Sequence, residues 1–316
     1  MPRVRVAVTG DEWCNRAEVI EGIRANAGTG ELILEVNTEG PSLRALGIID
    51  AVMPELARAG IDIQNVYVDQ WHNPVEQIPF HRFRKPGLSH FFWMSNRYRH
   101  QTPGPSIQDK IFALFVGRIT TDRAAILYET WNQLRPHTVF SLMSNSTVPV
   151  NLDSTLSDWF DLDTSQAVVE WFKNVPITSI TQHTVQDQYD PGINTNLELV
   201  KHYNRFAIEL VCETYCKGHA FFPTEKTIRP ITQCKSMLVY GPKDFLKNLR
   251  EMGFRTWHNL WDESYDQLSG LPRWQAMKSV MNDIVKTQAW KWESIASIVS
   301  HNHTHLEHLI ERHQPK

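Results

Sequence analysis

The sequence predicts an α/β protein built from two Rossmann-like lobes with a cleft between them. Short apolar runs of strand length alternate with amphipathic segments of helical spacing along much of the chain, which is typical of parallel sheets packed with helices. The chain has 316 residues, a length that favours two domains. We therefore expect an amino-terminal lobe over residues 1–150 and a carboxyl-terminal lobe over residues 151–316.

The first lobe begins with alternating strands and helices. The predicted strands cover 3–10, 32–36, 66–69, 111–116 and 138–143, and the predicted helices between them cover 16–24, 43–58 and 123–134. This alternation predicts a parallel sheet with both faces covered. Its glycines do not form the Gly-x-Gly-x-x-Gly fingerprint directly after a strand, so we expect no nicotinamide cofactor there.

The second lobe is predicted to be richer in helices. Apolar spacing indicates helices over 165–172, 196–204 and 243–252, a long helical region around 274–284, and a last helix around 301–310. Two apolar runs, 206–211 and 237–240, read as strands, and 254–257 reads as a short edge strand.

The most informative stretch lies between the strands 206–211 and 237–240. Thr224 is a suitable N-cap, and Glu225 and Lys226 follow it in the first helical turn. They are therefore expected at the carboxyl end of a strand, where open α/β sheets bind their ligands. A helix amino terminus and an ammonium favour phosphate, and a carboxylate accepts hydrogen bonds from ribose hydroxyls.

This stretch also resembles a known family. Glu213-Thr214 followed by Thr224-Glu225-Lys226-Thr227 is similar to the donor-site signature of the α1,3-fucosyltransferases. In that family a Glu-Asn pair precedes a Thr-Glu-Lys triplet on the carboxyl-terminal lobe of a GT-B fold. The resemblance covers roughly residues 209–241. The chain departs from the pattern at Thr214, where Asn is usual, and at Thr227, where an apolar residue is usual.

The resemblance implies a GT-B-like glycosyltransferase that moves a sugar from a nucleotide-sugar to the hydroxyl of a glycan or another acceptor. In such a site Glu225 holds the ribose and Lys226 holds phosphate, and the terminal helices can return to the first lobe. Arg118, after a predicted strand and glycine, is a second phosphate candidate. Cationic side chains stabilise the leaving diphosphate, so no metal or other cofactor is required. The expected donor site consists of Arg118, Glu213, Thr214, Tyr215, Thr224, Glu225 and Lys226.

An inverting mechanism also needs a carboxylate base within reach of the acceptor hydroxyl. We expect this base at a strand end of the first lobe. Glu39 is the first choice, because Gly40 and Pro41 after it allow close approach of a ligand, and Glu12 and Asp69 follow. Each of these acids is also explained as a residue of a turn or a helix cap.

Two other functions remain open. Residues 81–100 interleave basic and aromatic side chains, which a viral enzyme that glycosylates hydroxylated DNA bases could use to bind its acceptor. One buried strand with solvated basic flanks explains the same composition better. The formal net charge of −3 gives no overall attraction to nucleic acid or membranes. The second alternative is a nucleotide-binding protein without catalysis.

Metal sites and membrane segments are not expected. Cys212 and Cys216 lack a second cysteine pair. The sequence 161–163 (Asp-Leu-Asp) suits a helix start better than a metal site, and His301, His305 and His308 share a helical stripe without an acidic second shell. No signal-peptide or membrane-length apolar run is evident, which predicts a cytoplasmic protein of a bacterium or a virus.

Overall fold

The computed structural model describes residues 1–9, 13–37, 43–44, 46–69, 78–82, 107–117, 119–142, 152–175, 177, 199–216, 221–291 and 293–313. The protein is a mixed α/β fold. Its strands are β1 (Arg3–Thr9), β2 (Trp13–Cys14), β3 (Leu32–Asn37), β4 (Val66–Asp69), β5 (His81–Arg82), β6 (Phe112–Val116), β7 (Thr138–Leu142), β8 (Ile208–Cys212) and β9 (Ser236–Tyr240). Its helices are α1 (Arg16–Ala25), α2 (Ile48–Arg58), α3 (Thr121–Leu134), α4 (Leu152–Thr155), α5 (Leu162–Lys173), α6 (Glu225–Thr232), α7 (Phe245–Glu251), α8 (Gly270–Thr287) and α9 (Glu293–His313).

The first sheet has the strand order β2-β1-β3-β4-β5, and only the β1–β2 pair is antiparallel. The chain steps in one direction from β1 through β3 to β4. Right-handed crossovers then place α1 and α2 on the same face of the sheet, and the two helices contact each other. Valine, leucine and isoleucine side chains from these strands and helices form one buried core.

The opposite face of the first sheet carries charged side chains. Arg3 and Glu35 lie there with side chains 42% and 49% exposed, and Arg3 forms ion pairs with Glu35 and Asp69. Burial varies across this face, because Ile33 and Asp69 on the same face are only 2% and 3% exposed.

The second sheet has the order β7-β6-β8-β9, and all its strands are parallel. Every residue of β6, β8 and β9 is buried, as expected for a parallel sheet inside a core. From β6 the chain steps outward to β7, whereas from β8 it steps outward to β9 on the other side. The strand order therefore reverses between β6 and β8, and right-handed crossovers place α3 and α6 on opposite faces.

Each sheet has its own hydrophobic core. One core gathers residues between Val4 and Phe80, and the other gathers residues between Ile111 and Ile310. Strands β6 and β7 belong to the second sheet. The division between the two sheets thus falls between residues 82 and 112, earlier than the predicted lobe boundary at residue 150.

Three predicted elements differ locally. Helix α2 begins at Ile48, later than predicted, because Gly47 precedes it with a left-handed φ of 64°. In the predicted helix 196–204, the described part is helical only at 199–200 and continues as turns. The predicted edge strand 254–257 forms no strand, because the Asn302 side chain accepts from the Arg255 N–H and donates to its carbonyl, at 2.7 and 2.8 Å.

The outer edge of β9 is closed by Arg273 of α8. This side chain is fully buried and donates to the Val239 carbonyl at 3.0 Å, while it pairs with Asp266 at 3.2 Å. An arginine thus satisfies a strand carbonyl that would otherwise need another strand. Among the helices that the structure describes, none combines the length and apolar character needed to cross a membrane.

Candidate functional site

The predicted donor residues that the structure describes converge at the carboxyl end of β8. Glu213 follows this strand directly and is only 1% exposed. Its carboxylate accepts hydrogen bonds from the Thr224 N–H at 3.1 Å, from Thr224 Oγ1 at 2.5 Å and from Thr227 Oγ1 at 2.5 Å. Glu213 therefore fixes the start of α6 against the end of β8.

Thr224 is the N-cap of α6, as predicted. Its backbone is extended, and its hydroxyl oxygen accepts from the Lys226 N–H at 3.3 Å. The same hydroxyl donates to Glu213. Both the loop and the first helical turn are therefore held in one arrangement, with Glu225 and Lys226 at the amino terminus of the helix.

Lys226 and Glu225 form an ion pair with each other. Lys226 Nζ lies 2.5 Å from Glu225 Oε1, 3.1 Å from Thr214 Oγ1 and 3.4 Å from Thr224 Oγ1. The two charged side chains are 13% and 20% exposed, so the pair lies mostly inside the protein. Thr214, another departure from the family pattern, thus orients the ammonium that the resemblance assigns to phosphate.

The surroundings of Glu225 favour its ionised form. Burial by itself would raise the pKa of Glu225, but the positive charges of Lys226 and Arg229 outweigh burial and lower the pKa of this carboxyl to about 2. Glu225 is therefore a carboxylate, and an acceptor only, throughout the physiological range.

This pKa predicts how Glu225 contributes to stability. A carboxyl whose pKa is lower in the folded protein stabilises the fold above its unfolded pKa, and loses that effect as the pH falls. Glu225→Gln should therefore reduce the free energy of unfolding near pH 7 by roughly 3 kcal/mol. The difference from the parent should shrink as the pH falls from 4.5 toward about 2. Urea denaturation across this range measures it.

Glu170→Gln is the matched control for that experiment. Glu170 pairs with Lys173 at 2.5 Å on α5, but both side chains are more than 60% exposed. An exposed pair contributes little to stability, so this variant should follow the parent at every pH. A pH-independent difference between Glu225→Gln and the parent would contradict the assigned ionisation of Glu225.

A second buried ion pair lies beneath the first. Arg229 of α6 donates to Glu209 of β8 at 2.8 Å, and the side chains are 3% and 1% exposed. The Tyr203 hydroxyl also bonds to Glu209. Burial raises the pKa of Glu209, and the charge of Arg229 and the bond from Tyr203 act against it. The network anchors α6 to β8, and it places the Arg229 charge close enough to act on Glu225.

Helix α3 contributes two residues that the sequence did not single out for the site. Arg123 is buried and donates to the carbonyls of Cys212 and Glu213 at 3.0 and 2.9 Å. Asp122 accepts from Trp159 Nε1 at 3.2 Å and from the Tyr240 hydroxyl at 3.3 Å. The first turn of α3 therefore meets the ends of β8 and β9. The sequence signal for this contact was Arg123 itself, a charged residue directly before the apolar run 124–127.

The segment after Glu213 is fixed by a thiol. Tyr215 is half-buried, and the adjacent Cys216 Sγ donates to the carbonyls of Glu213 and Tyr240 at 3.3 and 3.5 Å. Burial raises the pKa of Cys216 well above its usual value. Cys216 thus stays a protonated thiol that joins the ends of β8 and β9, rather than a nucleophile.

Several predicted site residues lie outside the described residues. These are Arg118 of the donor set, the base candidates Glu39 and Glu12, and residues 83–100 of the basic and aromatic stretch. The third base candidate, Asp69, is described. It is 3% exposed, and its Oδ2 accepts from Arg3 Nη1 at 3.1 Å. This ion pair links β4 to β1.

Three of the candidate metal ligands contact other parts of the chain. His301 Nε2 lies 3.1 Å from the Gly253 carbonyl, and His305 Nε2 lies 2.7 Å from the Met252 carbonyl. Both rings therefore hold the end of α7 against α9. Asp161 is the N-cap of α5 and accepts from the Thr164 N–H at 2.8 Å. The described part of the chain contains no cluster of three or more potential metal ligands.

Comparison of the chain with protein-family models, with curated proteins and with solved structures found no match.

Proposed function

We propose that the protein is a glycosyltransferase that uses a nucleotide-sugar donor, with two lobes arranged as in the GT-B fold. The observation that carries the proposal is the position of Thr214, Thr224, Glu225 and Lys226 at the carboxyl end of β8. Strand order reverses there between β8 and β6, and such reversals are where open α/β sheets bind ligands. Thr224, Glu225 and Lys226 form the Thr-Glu-Lys triplet of the resembled donor site, whereas Thr214 departs from that pattern.

In this proposal the donor diphosphate binds Lys226, and the ribose hydroxyls donate to Glu225. The Lys226 ammonium stabilises the negative charge that grows on the leaving diphosphate, so transfer needs no metal ion. Arg118 is proposed as a second cation at the diphosphate. An inverting reaction takes its base from the first lobe, where Glu39 is the first choice and Glu12 and Asp69 are the other proposed residues.

A second candidate function is nucleotide binding without transfer. The specific observation in its favour is Asp69, the one base candidate that the structure describes, because its carboxylate is engaged by Arg3. A protein of this kind keeps Glu225 and Lys226 but releases no nucleoside diphosphate from a nucleotide-sugar.

Thermal denaturation with a panel of nucleotide-sugars tests the proposal, since a ligand that binds only the folded state raises the melting temperature. At least one donor should stabilise the parent. Glu225→Ala should weaken that binding by about 1–3 kcal/mol through lost hydrogen bonds to a charged group, and Glu170→Gln on α5 should leave it unchanged.

Two outcomes separate the functions. If no nucleotide-sugar stabilises the parent, or if Glu225→Ala binds as the parent does, the donor site is wrong. If a donor binds but neither transfer nor slow hydrolysis releases nucleoside diphosphate, the second candidate function is correct.

A further inference from the structure

Each N–H donor of the Lys226 ammonium already has an acceptor within hydrogen-bond distance. An ammonium carries three N–H donors, and Lys226 Nζ has three acceptors within reach, on Glu225, Thr214 and Thr224. A phosphate oxygen that binds Lys226 must therefore displace one of these acceptors. Which acceptor leaves determines what the site selects.

Glu225 is the acceptor that an anion displaces. The Thr224 hydroxyl is held in place by Glu213, and the hydroxyl of Thr214 is neutral, so neither repels a phosphate. The Glu225 carboxylate lies only 2.5 Å from Lys226 Nζ, and a phosphate on the same ammonium would bring two negative charges together. Their repulsion is large in a site that is mostly shielded from water.

A displaced Glu225 needs new donors, because an unsatisfied carboxylate in a mostly buried site is costly. Vicinal hydroxyls of a ribose supply such donors. The Arg229 charge, held beneath the site by Glu209, also favours the ionised carboxylate after Lys226 has turned to phosphate. One ligand that carries both a phosphate and a ribose thus satisfies both halves of the separated pair.

We propose that the Glu225–Lys226 ion pair makes this site selective for nucleoside diphosphates over inorganic phosphates and over nucleosides alone. The inference rests on the proposed function, and it gives the Glu225 carboxylate a second role in selecting between ligands. Glu225 opposes the binding of a bare anion, and it contributes favourably only when a ribose accompanies that anion.

Calorimetric titration of the full chain with inorganic pyrophosphate tests the selectivity. Glu225→Gln should bind pyrophosphate at least about tenfold more tightly than the parent, because the opposing charge is gone, whereas its affinity for a nucleoside diphosphate should fall. Glu170→Gln, which alters an exposed Lys–Glu pair on α5 at the same 2.5 Å distance, should match the parent. A gain in pyrophosphate affinity below about threefold in Glu225→Gln overturns the proposal.

If Glu225→Gln does not fold, a measurement on the parent alone tests the proposed selectivity. A saturating nucleoside should tighten pyrophosphate binding by at least about fivefold, because linkage makes the two ligands assist each other. Independent binding of the two ligands overturns the selectivity and leaves the nucleotide site intact. A parent that binds no nucleoside diphosphate rejects the proposed function instead.

Discussion

Replacing Lys226 with methionine is expected to lower the rate of sugar transfer by about 10²–10³-fold, the usual effect of removing one preorganised donor from a developing anion. Lys226 is proposed to contact the diphosphate, whose negative charge grows as the sugar leaves. The donor affinity should fall less than the rate, because the interaction is stronger in the transition state than in the bound donor. Steady-state kinetics combined with donor titration measure both quantities.

Lys173→Met is the control, because it removes an exposed ammonium that pairs with Glu170 on α5. This variant should keep the parental rate and affinity. Equal losses of rate and donor affinity in Lys226→Met would show that Lys226 only anchors the ground state. Parental kinetics in Lys226→Met would remove this residue from the site.

Replacing Arg229 with methionine is expected to reduce the free energy of unfolding by about 3–5 kcal/mol, which is typical when one partner of a buried ion pair is lost. The variant leaves the Glu209 carboxylate, 1% exposed, without its cation. The Tyr203 hydroxyl remains as a hydrogen-bond donor but carries no opposite charge. Urea denaturation near pH 7 measures the loss.

The double variant Glu209→Leu and Arg229→Met distinguishes an uncompensated charge from a loss of packing. It should recover most of the stability, because replacing both partners of a buried pair by apolar residues is often close to neutral. A single Arg229 variant within about 1 kcal/mol of the parent would show that the network does not anchor α6.

The sequence predicts the elements around the site well, because their signals are local. The apolar run that forms β9 ends at the turn-forming pair Gly241-Pro242, and Thr224 has the side chain that an N-cap requires. The predicted helix start at Thr224 and the strand before it are therefore confirmed by the structure.

The assembly of these elements could not be predicted, because it depends on contacts between distant residues. Strands β6 and β7 lie in one sheet with β8 and β9, although a long stretch of chain separates β7 from β8. No local sequence pattern encodes the pairing of β6 with β8. The role of Arg123 likewise depends on carbonyls about 90 residues away. Glu209 gave a usable signal, since an acid within a buried apolar strand needs a partner.

The most direct test of the donor-site assignment is amide hydrogen exchange of the parent with and without a nucleoside diphosphate. Backbone amides that a ligand covers or orders exchange more slowly. We predict slower exchange in the segments 213–216 and 224–228, with no change in α9, whose histidines hold α7. Saturating ligand that leaves 213–216 and 224–228 unchanged, or that protects only other segments, would contradict the assignment.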